Sequence, residues 1–89
     1  MNADEFKNII QKAIDTYGVD SQIKMAIEEC SELINALTKA WRGRSTNEDI
    51  ITEIADVIIM CEQLAVIFGR DKVGREITRK VERLAERLG

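Results

Sequence analysis

The stretch from Ile50 to Phe68, IITEIADVIIMCEQLAVIF, constrains this chain more than any other. Wound as a helix it is apolar over most of its circumference, so it needs cover on more than one side. Glu53 and Asp56 nevertheless sit inside it, three residues apart and on one face. A carboxylate in such surroundings costs on the order of several kcal/mol unless positive charge meets it. The chain offers more acid instead: Glu28, Glu29 and Glu32 precede it at helical spacing. The counter-charge for these acids is therefore expected to be a cation rather than a side chain.

The rest of the composition narrows the chemistry. With 89 residues the chain is expected to form one domain over residues 1–89, with a small core. It has no proline, five glycines and few aromatic residues, a balance that favours helices over sheet. A net charge of −3 argues against nucleic-acid binding. The absence of histidine removes the commonest metal ligand and general base, so any catalysis must rest on carboxylates, Lys or Arg. Asp56, Glu62 and Gln63 interrupt the best candidate for a membrane span, and the polar start MNADEFKN does not resemble a signal peptide. A cytoplasmic protein is expected. Cys30 and Cys61 fall on apolar stripes and read as reduced core thiols; without CxxC spacing or histidine they make no zinc site.

Four helices account for the chain. The first is expected over residues 3–17, with Asn2 and Glu5 in a capping-box pattern and Phe6, Ile9, Ile10, Ala13, Ile14 and Tyr17 as its apolar face. Gly18 ends it, and Asp20 or Ser21 is expected to cap a second helix running to about Trp41. On that helix Ile23, Ile27, Cys30, Ile34, Leu37 and Trp41 form a narrow stripe, read as the core face, with Glu28, Glu29, Glu32 and Lys39 roughly opposite. Ser45 with Glu48 suggests the cap of a third helix to Phe68, whose main stripe is Ile50, Ile54, Val57, Cys61, Leu64 and Phe68. Ile59 and Val66 project opposite and Met60 and Ile67 flank them, a surplus read as an oligomer interface. Asp71 is expected to cap a last helix to about Leu88, striped by Val73, Ile77, Val81, Leu84 and Leu88 and otherwise basic. The fold class is thus all-α, a four-helix bundle-like unit expected to self-associate.

If the second and third helices pack antiparallel about a turn near residue 44, Glu32 and Asp56 stand at matched distances from it. Glu29 and Glu32 can then meet Glu53 and Asp56 at one point. Oxygen-only ligands indicate a hard cation, Mg²⁺ first and Mn²⁺ as its substitute. Di-iron bundles also use carboxylates, but their Glu-x-x-His pairs are absent. A Mg²⁺ site in an open bundle takes phosphate oxygens as further ligands, which points to phosphate-ester or phosphoanhydride chemistry.

Glu28-Glu29-x-x-Glu32 followed by Glu53-x-x-Asp56 resembles the paired acidic motif of the MazG-like all-α nucleoside triphosphate pyrophosphohydrolases. Tyr17-Gly18, Gln22, Lys39, Arg42 and the basic Arg79-Lys80 and Arg83 extend the resemblance along nearly the whole chain. It implies hydrolysis of a nucleoside triphosphate to the monophosphate and pyrophosphate, by water attacking the α-phosphorus. It also implies Glu29, Glu32, Glu53 and Asp56 as Mg²⁺ ligands, with Glu28 supporting that shell or helping to deprotonate the water. Lys39, Lys80 and Arg83 are the candidates for the triphosphate, weighed against plain solvated side chains, and Arg42 and Arg44 are weaker ones. Family members form dimers or tetramers. Trp41 is the candidate for stacking on a base, against a place in the core at the end of its stripe.

Two other readings stand beside this one. A phosphoribosyl-ATP pyrophosphohydrolase-like enzyme would carry a Tyr-His pair soon after the aspartate, where this chain has Val57-Ile58-Ile59-Met60. A non-catalytic helical interaction or nucleotide-binding module is the other, although a surface that only docks a basic partner would not need Asp56 inside an apolar helix.

Overall fold

The α2–α3 hairpin is the spine of the molecule. A computed structural model describes residues 1–89, with helices α1 (Ala3–Tyr17), α2 (Val19–Trp41), α3 (Asn47–Phe68) and α4 (Arg70–Leu88) and no strand. The chain is all-α and bundle-like, as its periodicity predicts. The long helices α2 and α3 run antiparallel and make the most extensive contact; α1 lies against both, and α4 touches α3 alone.

The corners explain the helix boundaries. At Gly18 the backbone takes φ 92°, ψ 153°, a conformation open to glycine but not to residues with a Cβ. One residue therefore turns α1 into α2: Gly18 donates to the Ile14 carbonyl at 2.8 Å and accepts from Gln22 at 3.1 Å. The second helix starts at Val19 with no side-chain cap, ahead of the Asp20 or Ser21 start expected. The same happens at Gly69, so α4 starts at Arg70 and Asp71 lies in its first turn instead of capping it. After Trp41, Gly43 (φ 72°) donates to Ala40 O and Arg44 to Lys39 O, the paired bonds of a Schellman closure. The cap that follows is one residue later than the spacing suggests. Thr46 Oγ1 accepts from Asp49 N at 3.2 Å and Asp49 Oδ2 accepts from Thr46 N at 3.3 Å, replacing the Ser45–Glu48 pair expected. The Asn2 cap is as expected, accepting from Glu5 N at 2.8 Å.

Helix α1 turns its expected apolar face inward, whereas the most buried residues of α2 and α3 lie off their main apolar stripes. Ile10 and Ile14 of α1, Gln22, Ala26 and Ala36 of α2, and Met60 and Gln63 of α3 are the buried residues. On α2 the inner line is 22-26-29-33-36-40, and on α3 it is 53-56-60-63-67, each at alternating three- and four-residue steps. Glu29, Glu53 and Asp56 lie on these inner lines, whereas Glu28 and Glu32 are exposed. The stripes read as core faces are only half covered. Ile23 and Cys30 on α2 and Ile50, Val57 and Leu64 on α3 are half-buried. Ile27, Ile34 and Leu37 on α2 and Ile54, Cys61 and Phe68 on α3 are exposed, so Cys61 is not a core thiol. Met60, expected at an outer flank, is the most enclosed residue of its helix apart from Gln63. Small Ala26 and Ala36 let the hairpin close on its mixed face.

Beyond Val73 every residue of α4 is exposed. An Arg70–Glu62 ion pair at 3.5 Å ties its start to α3; as a half-exposed pair it contributes at most about 1 kcal/mol. The radius of gyration, 15.5 Å, exceeds the roughly 12 Å of a closed globule of this length. The hairpin is closed, but α4 stands away from it.

Two glycines give opposite expectations for one substitution. Gly18→Ala should destabilise the chain by about 1–3 kcal/mol through backbone strain alone, because open space surrounds the site. Gly74→Ala, inside α4 and equally unobstructed, should stabilise by up to about 1 kcal/mol. Urea unfolding of both variants checks the pair.

Candidate metal centre

The inner lines of α2 and α3 bring three carboxylates together. Glu29 comes from the middle of α2, and Glu53 and Asp56, one turn apart, come from α3. One oxygen from each lies within 4.8 Å of the other two. Glu29 stands beside Asp56 and Glu53 beside Glu32, so like charges face one another across the seam. Glu29 Oε2 and Glu53 Oε2 are shut off from solvent without a hydrogen-bond partner. The ion pairs of the chain, Arg70–Glu62 and Arg79–Glu76, involve none of these acids.

The electrostatics follow from that arrangement. Burial raises the Glu29 carboxyl above its ordinary value, and Glu32, Asp56 and Glu53 push it the same way. Glu53 is also raised, first by burial and then by Glu32 and Asp56. Asp49, one turn before Glu53, goes the other way: the Thr46 backbone N–H, then the Thr46 hydroxyl, hold it below the usual carboxylate range, with help from Lys39. Its charge is satisfied at the helix cap, while those of Glu29 and Glu53 are not.

A polar cavity of about 330 Å³ opens beside the cluster toward the α2–α3 turn. Glu32 and Glu53 form its acidic wall, Lys39 and Arg44 its basic one, and Asn35, Ser45 and Asp49 complete the polar lining. The Schellman closure that follows Trp41 places Arg44 and Ser45 at this rim.

The expected residues divide as follows. Glu29, Glu53 and Asp56 converge. Glu32 is exposed and meets Glu53 at the cavity, outside the group of three. Glu28 is exposed and belongs to neither cluster nor cavity, which separates it from the acids it was grouped with. Lys39 lines the cavity; Lys80 and Arg83 do not, lying with Leu84 and Arg87 along a groove made by α4 alone. Trp41 is 93% exposed, neither core nor part of the cavity. Sequence reasoning passed over Asn35 and Ser45 and ranked Arg44 low. The signal for Asn35 was available, because it lies three residues after Glu32 and four before Lys39 on one face.

The donor set fits a hard divalent cation. It offers oxygen alone, clusters negative charge, leaves two acceptor atoms without donors and has no side-chain cation in contact. No family model matches the chain, and no curated protein or solved structure matches it.

The raised carboxyls have a definite pH signature. A group with a higher pKa folded than unfolded keeps its proton where the unfolded chain has released it. The stability that Glu29 and Glu53 contribute is therefore full below the ordinary value of 4.5 and is lost as pH rises through their raised values. In EDTA the melting temperature should carry this downward component with rising pH, and Glu53→Gln should flatten it. At neutral pH in EDTA, Asp56→Asn should raise the melting temperature by removing a like charge from beside Glu29 and Glu53. An unchanged pH profile in Glu53→Gln would contradict the electrostatic account.

Proposed function

We propose that the chain is a Mg²⁺-dependent nucleoside triphosphate pyrophosphohydrolase of the cytoplasm, converting an NTP or dNTP to the monophosphate and pyrophosphate. The observation that carries this reading is the convergence of Glu29, Glu53 and Asp56 without a counter-charge, beside a cavity that presents Lys39 and Arg44. The paired acidic motif, with its resemblance to the MazG-like enzymes, supplies the reaction.

Glu29, Glu53 and Asp56 would hold the ion, with Glu32 bordering them on the cavity side. Bound there, Mg²⁺ (or Mn²⁺) supplies Lewis-acid polarisation of phosphoryl oxygens and acidifies a coordinated water. Lys39 and Arg44 carry the charge that offsets the triphosphate, and Asn35 and Ser45 offer hydrogen-bond donors to its oxygens. Water attacks the α-phosphorus, the bond to the α,β-bridging oxygen breaks, and pyrophosphate leaves. Glu32, exposed at the cavity and in contact with Glu53, is positioned to take the proton that the water releases. Its place at the rim supports this role better than the outward position of Glu28 does. The working unit is a homodimer or homotetramer, a reading supported by the uncovered apolar faces of α2, α3 and α4.

Incubation with Mg²⁺ and a panel of NTPs and dNTPs should release pyrophosphate and monophosphate in one step from at least one member. Glu53→Gln should lower that rate by on the order of 100-fold or more, and Lys39→Ala should weaken substrate use by roughly 10-fold. Orthophosphate as the first product, or no turnover across the panel, would overturn the proposal.

A further inference from the structure

The exposed surface of the chain is too large for a closed monomer. It measures 6990 Å², whereas a folded monomer of this mass exposes about 5,300 Å². The excess, about 1,700 Å² per chain, corresponds to about 3,400 Å² over two chains, within the range of obligate homodimers. It is concentrated in two places. One is α4, whose apolar stripe of Ile77, Val81, Leu84 and Leu88 faces solvent; Ile77 is 57% exposed. Helical stability in a protein comes mostly from packing an amphipathic face, and past Val73 that face of α4 has no cover within the chain. The other is a shallow apolar groove lined by Ile23, Ile27, Cys30 and Ile34 of α2 and Leu64 of α3. Ile34 is 65% exposed.

The two features complement each other. Ile77 to Leu88 and Ile23 to Ile34 each span eleven helical steps, about 16 Å. Their charges are also opposed: residues 70–89 carry seven Lys or Arg against four Asp or Glu, and residues 1–69 carry six against twelve. Within one chain α4 contacts only α3 and makes no contact with α2, the main wall of the groove. We propose that α4 of each protomer lies in the α2–α3 groove of a second copy, so that two chains exchange C-terminal helices in a two-fold symmetric dimer. A chain that carries both complementary halves needs no other partner to cover them. This inference specifies the self-association proposed above and does not depend on the hydrolase reading.

Hydrogen exchange on the wild-type chain, read alongside sedimentation, tests the exchange without any variant. At concentrations where the chain is dimeric, amides of residues 74–88 should be protected, and dilution should remove that protection together with the dimer. Leu84→Asp and Ile34→Asp should each weaken the dimer by on the order of 100-fold. Mixing these two variants should restore heterodimer, because one intact helix then meets one intact groove. A chain that stays monomeric at high concentration would overturn both self-association and exchange. A dimer whose α4 amides exchange freely, or which tolerates Leu84→Asp, would overturn the exchange alone.

Discussion

Repulsion among carboxylates at the α2–α3 seam is the constraint on which the rest of the structure turns. Three acids share one point between two helices whose closure is otherwise secured by small and apolar residues: Ala26, Ala36 and Met60. In a partly desolvated seam that arrangement raises the Glu29 and Glu53 carboxyls and leaves an oxygen of each without a donor. Such a cost persists where a ligand relieves it. The hairpin is built to hold these acids in register. Gly43 and Arg44 close α2, Thr46 and Asp49 open α3, and the short turn between them puts Glu29 opposite Asp56.

The opposed behaviour of Asp49 and Glu53 makes the point locally. Both are acids on one face of α3, one turn apart. Asp49 receives the Thr46 N–H and hydroxyl contacts of the cap and keeps its charge easily. Glu53 meets Glu32 and Asp56 instead. Asp49 is thus satisfied by the cap, with help from Lys39, while Glu53 retains negative charge that no side-chain cation pairs with. That polarity suits a ligand that brings a cation at one end and anionic oxygens at the other.

Much of this was legible in the sequence, and the failures have physical reasons. Helix number and type followed from periodicity, and the convergence of acids from α2 and α3 followed from their antiparallel packing about the turn. Equal distances to the turn, however, paired Glu32 with Asp56, whereas Glu29 joins Glu53 and Asp56 and Glu32 stands beside Glu53 at the cavity. The inward faces of α2 and α3 did not follow. A hydrophobic stripe marks the face that will be covered, without saying by which neighbour, and here much of the stripes of α2 and α4 stays exposed within the chain. The starts of α2 and α4 were misjudged because a glycine in a conformation closed to other residues can join two helices with no capping side chain. Arg44 and Ser45 reach the cavity through the Schellman turn, a backbone geometry that residue spacing does not encode.

The central claim is that Glu29, Glu53 and Asp56 make a cation site. Titration of the metal-free chain with Mn²⁺, followed by the electron paramagnetic resonance of the free ion, tests it without requiring turnover. The account predicts saturable binding that Mg²⁺ displaces and that Glu29→Gln, Glu53→Gln and Asp56→Asn each abolish or weaken at least tenfold, while Glu28→Gln leaves it unchanged. Binding that survives the loss of all three acids, or the absence of binding by the wild-type chain at millimolar ion, would contradict it.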